Sequence, residues 1–444
     1  MRGFPQADKA LWRLALPMIL SNVSVPLLGV VDTAVIGHLD SPVYLGGVAV
    51  GSMATTFLFM LLLFLRMSTT GLCAQAYGAD DRPALARALV QPLLMALLAG
   101  GAIVVLRGPL IEWVLHIVGA ESAIQAQAQL FMSIRWLSAP ATLANLVILG
   151  WLLGVQYARA PVLLLVTGNL VNIVLDLWFV VGLGWKVAGA AWATLIADYV
   201  TLLLGVGLLL HVMRRRGLRR EHFHHAWRGD LRRLLALNRD IMLRSLLLQI
   251  CFASLTVIGA RLGASVVAVN AVLMNLLTFT AYALDGFAYA VEAHSGRAYG
   301  ARDAAGLQRV WRAACRQAGM VALLFAVAYG LFGRDIIELL TTLPQVRALA
   351  IAYLPWQMVL PLLGVWCYLL DGVFIGATRG ADMRNSMALA ALGYGLTLLS
   401  VPWLGNQGLW LALAVFLTLR GLSLWLIWRR CWREDRWFPS PSAT

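Results

Sequence analysis

Twelve stretches of this 444-residue chain are apolar over about 20 residues or more, the length a helix needs to cross the hydrocarbon of a bilayer. They fall near residues 10–36, 44–68, 88–112, 124–153, 161–184, 188–213, 238–262, 266–295, 318–338, 350–376, 384–404 and 408–428, taken here as spans 1 to 12. A chain in lipid satisfies its backbone polar groups internally, so each stretch is expected to be a helix and the fold to be all-α. The composition agrees, at 61% hydrophobic and 13% charged, where soluble domains carry about 25% charged residues. Disorder is excluded, because disordered chains are poor in apolar residues. The net charge of +14 does not point to nucleic acid, since a binder displays its positive charge on a water-exposed face of a polar chain.

The basic residues instead report orientation. With the N-terminus in the cytoplasm, most of the 35 Lys and Arg fall on the inner side, including ten between positions 214 and 244. Only Arg107, Lys186, Arg261, Arg334 and Arg347 fall outside, and Arg66, Arg135 and Arg420 lie within spans. This distribution places both termini in the cytoplasm and the chain in a bacterial inner membrane as a multi-pass protein. The N-terminus is basic and then apolar, as signal peptides are, but lacks a small-residue cleavage site and reads as a retained first span. Cys73, Cys251, Cys315, Cys367 and Cys431 are scattered and form no CxxC pair, which fits apolar filler rather than disulfides or zinc. The loop at residues 214–233 contains His222, His224 and His225 without an acidic or cysteine partner, so it reads as a basic surface facing anionic headgroups.

The two halves of the chain repeat each other. Ala76-Tyr77-Gly78-Ala79, followed by Asp81, Leu85 and Arg87, recurs as Ala298-Tyr299-Gly300-Ala301, followed by Asp303, Leu307 and Arg309. At the same offset, half the chain length, Ile36-Gly37 matches Ile258-Gly259, Ala49-Val50 matches Ala271-Val272, and Gly154 matches Gly376. The expected organisation is a six-helix lobe at 1–213, a basic cytoplasmic connection at 214–237, a second six-helix lobe at 238–430 and a cytoplasmic tail at 431–444. Six spans per repeat make the repeats parallel, and two pseudo-symmetric lobes around a central cleft are the architecture of an alternating-access transporter. An intramembrane hydrolase is disfavoured: no HExxH or GxGD occurs, and most histidines lie in loops.

Within the spans the acids stand out, because each costs about 2.5–3.5 kcal/mol at mid-bilayer. They are Asp32, Asp176, Asp198, Asp285, Glu292 and Asp371. Asp32 lies about four residues from the outer end of span 1, Asp176 about eight from that of span 5, and Thr194 about six into span 6, a depth difference of only about 6 Å. Asn172 precedes Asp176 by one helical turn and shares its face. Two carboxylates, an amide and a hydroxyl at one level form an oxygen-rich group that can hold a shared proton or Na⁺; no other metal or cofactor is expected. The positions matching Asp32 and Asp176 in the second half are Ser254 and Leu398, and those matching Asp285 and Asp371 in the first half are Leu63 and Leu149. Asp285 and Asp371 read either as a second relay or substrate contact, or as gating partners of an arginine. Glu292 and Asp198 read as structural, the latter through an ion pair with Arg420. Pro17 and Pro26 lie inside span 1, where proline kinks a helix.

These residues resemble the MATE (multidrug and toxic compound extrusion) family. The resemblance is carried by LALPMIL and VVDTAVIGHL in span 1, NLVNIVLD in span 5, VAGAAWAT opening span 6, the Gly-Ala-Thr-Arg-Gly turn at residues 376–380 and the paired AYGA loops. PVYLGGVAV, LLFLRMSTTGL, WLLGVQYARAP, LNRDIMLRSLLLQ, YALDGFAYAVEAHSG and WCYLLDG resemble its DinF branch, the bacterial DNA-damage-inducible protein F type. The likeness runs from about residue 10 to residue 436. It implies a secondary antiporter that exports amphipathic, often cationic compounds in exchange for H⁺ or Na⁺, acting as a monomer in the lipid bilayer. It places the family's span-1 proline on Pro17, its coupling carboxylate on Asp32, and its further site residues on Asn172, Asp176 and Thr194. Protonation of Asp32 is then expected to bend span 1. The family's span-10 acid falls near Asp371, whereas the span-7 acid of other branches is missing, leaving only Gln249 there; this favours protons over Na⁺. A lipid-linked precursor flippase of related fold is the alternative, but it needs a cationic cavity, and six acids face three arginines within the spans.

Overall fold

The apolar stretches become helices that mostly run on past them at their basic ends. A computed structural model describes residues 6–439. Its twelve helices long and apolar enough to cross a membrane are α1 (Gln6–Gly37), α2 (Pro42–Gly78), α3 (Arg82–Val118), α4 (Ser122–Gly154), α5 (Arg159–Gly182), α6 (Lys186–Arg215), α7 (Leu231–Leu262), α8 (Ala264–Gly300), α9 (Ala304–Leu340), α10 (Leu354–Gly376), α11 (Gly380–Leu404) and α12 (Asn406–Arg433). All regular structure among the described residues is helical. The first five residues and the end of the tail lie outside the described residues. Hydropathy marks only the part of a helix that meets lipid. In α9 the turns before the apolar stretch are amphipathic: Leu307, Ala313 and Ala314 are buried while Arg309, Arg312 and Arg316 are exposed. Span 10 is the reverse case, for its first residues belong to a separate short helix, Pro344–Ala352, and α10 restarts at Leu354 with Pro355 in its first turn. Side chains such as Leu339 (87% exposed), Val105 and Leu203 stand out on the helix surfaces, as lipid-facing residues do.

The chain divides into two compact units, residues 20–234 and residues 1–19 with 235–444. The first boundary falls between Pro17 and Pro26, within one helix that runs continuously through both prolines. The first turns of α1 therefore pack with the second half of the sequence: Asp8 pairs with Arg316 at 3.0 Å, and the Ala10 carbonyl lies 3.2 Å from His294 Nε2.

Each unit repeats the same frame. The aspartates of the paired AYGA loops are N-caps: Asp81 Oδ1 accepts from Ala84 N at 3.2 Å and Asp303 Oδ1 from Gly306 N at 2.9 Å, opening α3 and α9. The residues before them, Asp80 and Arg302, both take left-handed backbone with φ of 52° and 55°. Two glycines of α4 and two of α10 allow matched close approaches. A β-carbon on Gly150 would fall 2.7 Å from the Arg66 carbonyl, and one on Gly372 2.7 Å from that of Ala288. At Gly154 and Gly376 the obstructing residues are Cys73 and Ser295, again equivalent positions.

Candidate functional site

Asp32, Asn172, Asp176 and Thr194 converge within the unit of residues 20–234. α5 carries Asn172 and Asp176 on its buried face, 4% and 1% exposed. This stretch, Thr167–Asp176, is α-helical but flanked on both sides by wider π-helical turns, Val162–Val166 and Leu177–Gly182. Such insertions rotate one helix segment against the next and recur at functional sites. Asn172 Nδ2 lies 3.3 Å from Thr194 Oγ1 of α6, which in turn donates to the Ala190 carbonyl at 3.1 Å. One turn along, the carboxyl groups of Asp32 and Asp176 lie within hydrogen-bonding reach of each other. Apart from that mutual contact, no group among the described residues bonds Asp32 Oδ1 or either oxygen of Asp176, and all three atoms are buried. Two buried carboxyls that touch share one proton more readily than they both ionise. An apolar layer of Ile36, Val180 and Ala190, packed by Val35, Leu39, Tyr44, Leu45 and Val48, lies one turn beyond each polar residue. Near Pro26, Asn169 of α5 donates to Ser24 Oγ of α1 at 3.0 Å, and Ser24 donates to the Ser21 carbonyl at 2.6 Å.

Asp198 does not pair with Arg420 as the sequence suggested. Its Oδ2 accepts from Arg135 Nη1 of α4 at 2.9 Å and from Thr142 at 3.0 Å, while Asn145 donates to its carbonyl at 3.1 Å. Depth along the membrane does not fix the partner: the neighbour that holds Asp198 is α4, within the same unit. Arg135 ends the first half of α4, just before a 3₁₀ turn, Trp136–Ser138, and its guanidinium also covers the Phe59 ring at 5.3 Å.

In the second unit the four matching positions hold Ser254, Tyr394, Leu398 and Phe416. Ser254 Oγ and Tyr394 Oη are 3.0 Å apart, and the Tyr394 and Phe416 rings meet edge to face at 5.9 Å. Neither an acid nor a cation occupies this equivalent place. The charge lies elsewhere in that unit: Asp371 Oδ2 accepts from Arg244 Nη2 at 2.6 Å and from Arg420 Nη2 at 2.8 Å. Asp371, Arg244 and Arg420 are 7%, 7% and 4% exposed. Arg244, counted from the sequence with the inner basic residues, is thus a buried ion-pair partner within α7. Asp285 of α8 lies within electrostatic reach of Tyr282, Cys367 and Tyr368, and the Arg420 guanidinium stands 5.9 Å from the Tyr368 ring. Among the described residues, no group of three His, Cys, Asp or Glu side chains is placed to hold a metal; His222 Nδ1 accepts instead from Arg219 N, and His224 packs on His225.

Comparison with known proteins matches both halves to one pattern. The MatE family profile fits residues 17–178 and again residues 241–404. The chain is 70% identical over 438 residues to DNA damage-inducible protein F of Escherichia coli, covering 99% of this chain and 95% of that one. It is 27% identical over 434 residues to the protein called Probable multidrug resistance protein NorM of Bradyrhizobium diazoefficiens, covering 91% and 89%. Among solved structures, a MOP superfamily transporter from Pyrococcus furiosus superposes with a TM-score of 0.88 at 23% identity, covering 98% of this chain and 97% of that one. The chain is therefore a multi-pass membrane protein of the MATE transporter family and not an enzyme.

Proposed function

We propose that this transporter is a proton-coupled exporter of small amphipathic, often cationic compounds, with the touching carboxyls of Asp32 and Asp176 as its proton carrier. The observation that supports this most is a pair of touching acids, three of whose oxygens are buried without another partner, at positions whose repeat counterparts are uncharged. Substrate and proton then compete for one site. With the proton gone, the paired negative charge attracts a cationic or amphipathic compound; a returning proton removes that charge and releases the compound on the other side. Asn172 and Thr194 set the side-chain geometry of α5 against α6, and α1, with Pro17 and Pro26, is the element whose bend responds. Two guanidiniums already hold Asp371 Oδ2 and balance its charge, so a sodium site built on it is disfavoured. The protein works as a monomer in the bacterial inner membrane with both termini in the cytoplasm.

The test is ion specificity in proteoliposomes. A pH gradient and a Na⁺ gradient are imposed separately and movement of a cationic fluorescent dye is followed. Dye flux driven by the pH gradient without Na⁺ is expected; flux that follows Na⁺ and ignores pH overturns proton coupling.

A further inference from the structure

Asp198 follows Thr194 by one helical turn on α6, on the side of the Thr194–Asn172 contact away from Asp176, and Arg135 pairs with it. Thr194 and Asp198 are four residues apart on α6 and share its face, so the hydroxyl that meets Asn172 and the carboxylate that meets Arg135 are neighbours. The Arg135 guanidinium also lies within electrostatic reach of the Asp32 carboxyl. Its engagement is partial: Nη1 serves Asp198 and Ser138, while Nε and Nη2 bond no described residue. Arg135 stands where α4 passes into the 3₁₀ turn Trp136–Ser138, with Pro140 just beyond, and a 3₁₀ stretch inside a helix often marks a hinge. A cation with idle donors thus pairs with one carboxylate while lying within electrostatic reach of a second acid site, in which Asp32 Oδ1 and both Asp176 oxygens have no bond beyond their mutual contact.

We propose that Arg135 is a positioning residue that serves two acid sites in turn, paired with Asp198 while the Asp32/Asp176 pair holds its proton and turning toward that pair when the proton leaves. The inference rests on that pair being the proton carrier. Once deprotonated, the pair places two negative charges in a poorly solvated site, which is costly without a counter-charge nearby. Arg135 supplies one that the protein already holds, and Asp198 keeps it within reach between cycles. Four other cations of this unit have partners elsewhere: Lys186 with Tyr44 at 2.9 Å, Arg66 with Thr70 at 3.3 Å, Arg87 with Asp230 at 3.3 Å, and Arg107 with the Val104 carbonyl at 2.9 Å. The Tyr199 hydroxyl donates to the Leu137 carbonyl at 3.0 Å and does not face the pair.

The test is an infrared titration of the purified protein in lipid, following the protonated-carboxyl band as pH rises, without substrate or Na⁺. Asp32→Asn identifies the band that belongs to the pair. Arg135→Gln is expected to move its midpoint to higher pH and Asp198→Asn, which frees the guanidinium, to lower pH, each by about one unit. The double variant R135Q/D198N falls between them and removes the ion pair as a unit; if R135Q proves too unstable to purify, D198N and the double variant carry the same ordering. Midpoints that stay in place, or that move in the same direction in R135Q and D198N, overturn the role of Arg135. A band unaffected by Asp32→Asn overturns instead the reading of the pair as proton carrier.

Discussion

The two units of this transporter share a frame and differ in how they treat buried charge. Asp81 and Asp303 cap equivalent helices, and Gly150/Gly154 and Gly372/Gly376 admit equivalent close contacts. On that common frame the unit of residues 20–234 presents two carboxyls to each other, three of their oxygens without another partner, whereas in the other unit two guanidiniums hold one carboxylate oxygen. The contrast extends to a single position. Asp198 on α6 and Arg420 on α12 are equivalent by the repeat, carry opposite charge, and each pairs with the neighbouring α4 or α10, with Arg135 in one case and Asp371 in the other. A carboxylate held by two guanidiniums has its charge matched within the protein; under the proposed function, the facing carboxyls of the other unit exchange the proton. Duplication supplied the scaffold, and under the proposed function divergence confined the exchangeable charge to one unit.

The comparison breaks most visibly if Asp32 is neutralised: Asp32→Asn is expected to reduce pH-driven dye flux in proteoliposomes to the level of protein-free vesicles while the protein remains folded. Next comes Asp371→Asn. It leaves two buried guanidiniums without their anion, so a destabilisation of about 3–5 kcal/mol is expected, read as a fall in melting temperature in detergent. Replacing all three residues, D371N/R244Q/R420Q, should recover much of that loss; no recovery would mean that the cluster is not held together by its charges. Thr194→Val removes one hydrogen bond to Asn172, a change of about 1 kcal/mol, and should lower transport roughly fivefold without moving the melting temperature as far as D371N does. The smallest effects test the shared frame itself: Asp81→Ala and Asp303→Ala should each cost about 1 kcal/mol and by similar amounts. Unequal losses would show that the two frames are less alike than their geometry.

Much of this architecture was legible in the sequence, for identifiable reasons. Helices in lipid are written as apolar runs, and the repeat survives in turn chemistry because an N-cap Asp after a left-handed residue tolerates few substitutes. Asp32, Asn172, Asp176 and Thr194 stood out because a polar residue inside an apolar run has a definite depth. Depth is not lateral position, however, and so hydropathy alone suggests Arg420 for Asp198, whose partner is Arg135. Arg244 escaped notice because α7 begins at Leu231, in the basic stretch, and its charge reads as part of the inner loop. The π-helical turns around Asn172 and Asp176 carry no pattern of their own; the packing of α5 against its neighbours sets them.

The most direct test of the account sets the two acids side by side. Asp32→Asn and Asp371→Asn are reconstituted at equal amounts of folded protein, and dye flux is measured as the imposed pH gradient is raised. D32N is expected to lose its response to the gradient while D371N keeps one. A D371N protein that ignores the gradient beside a D32N protein that follows it would contradict the assignment of coupling to the first unit.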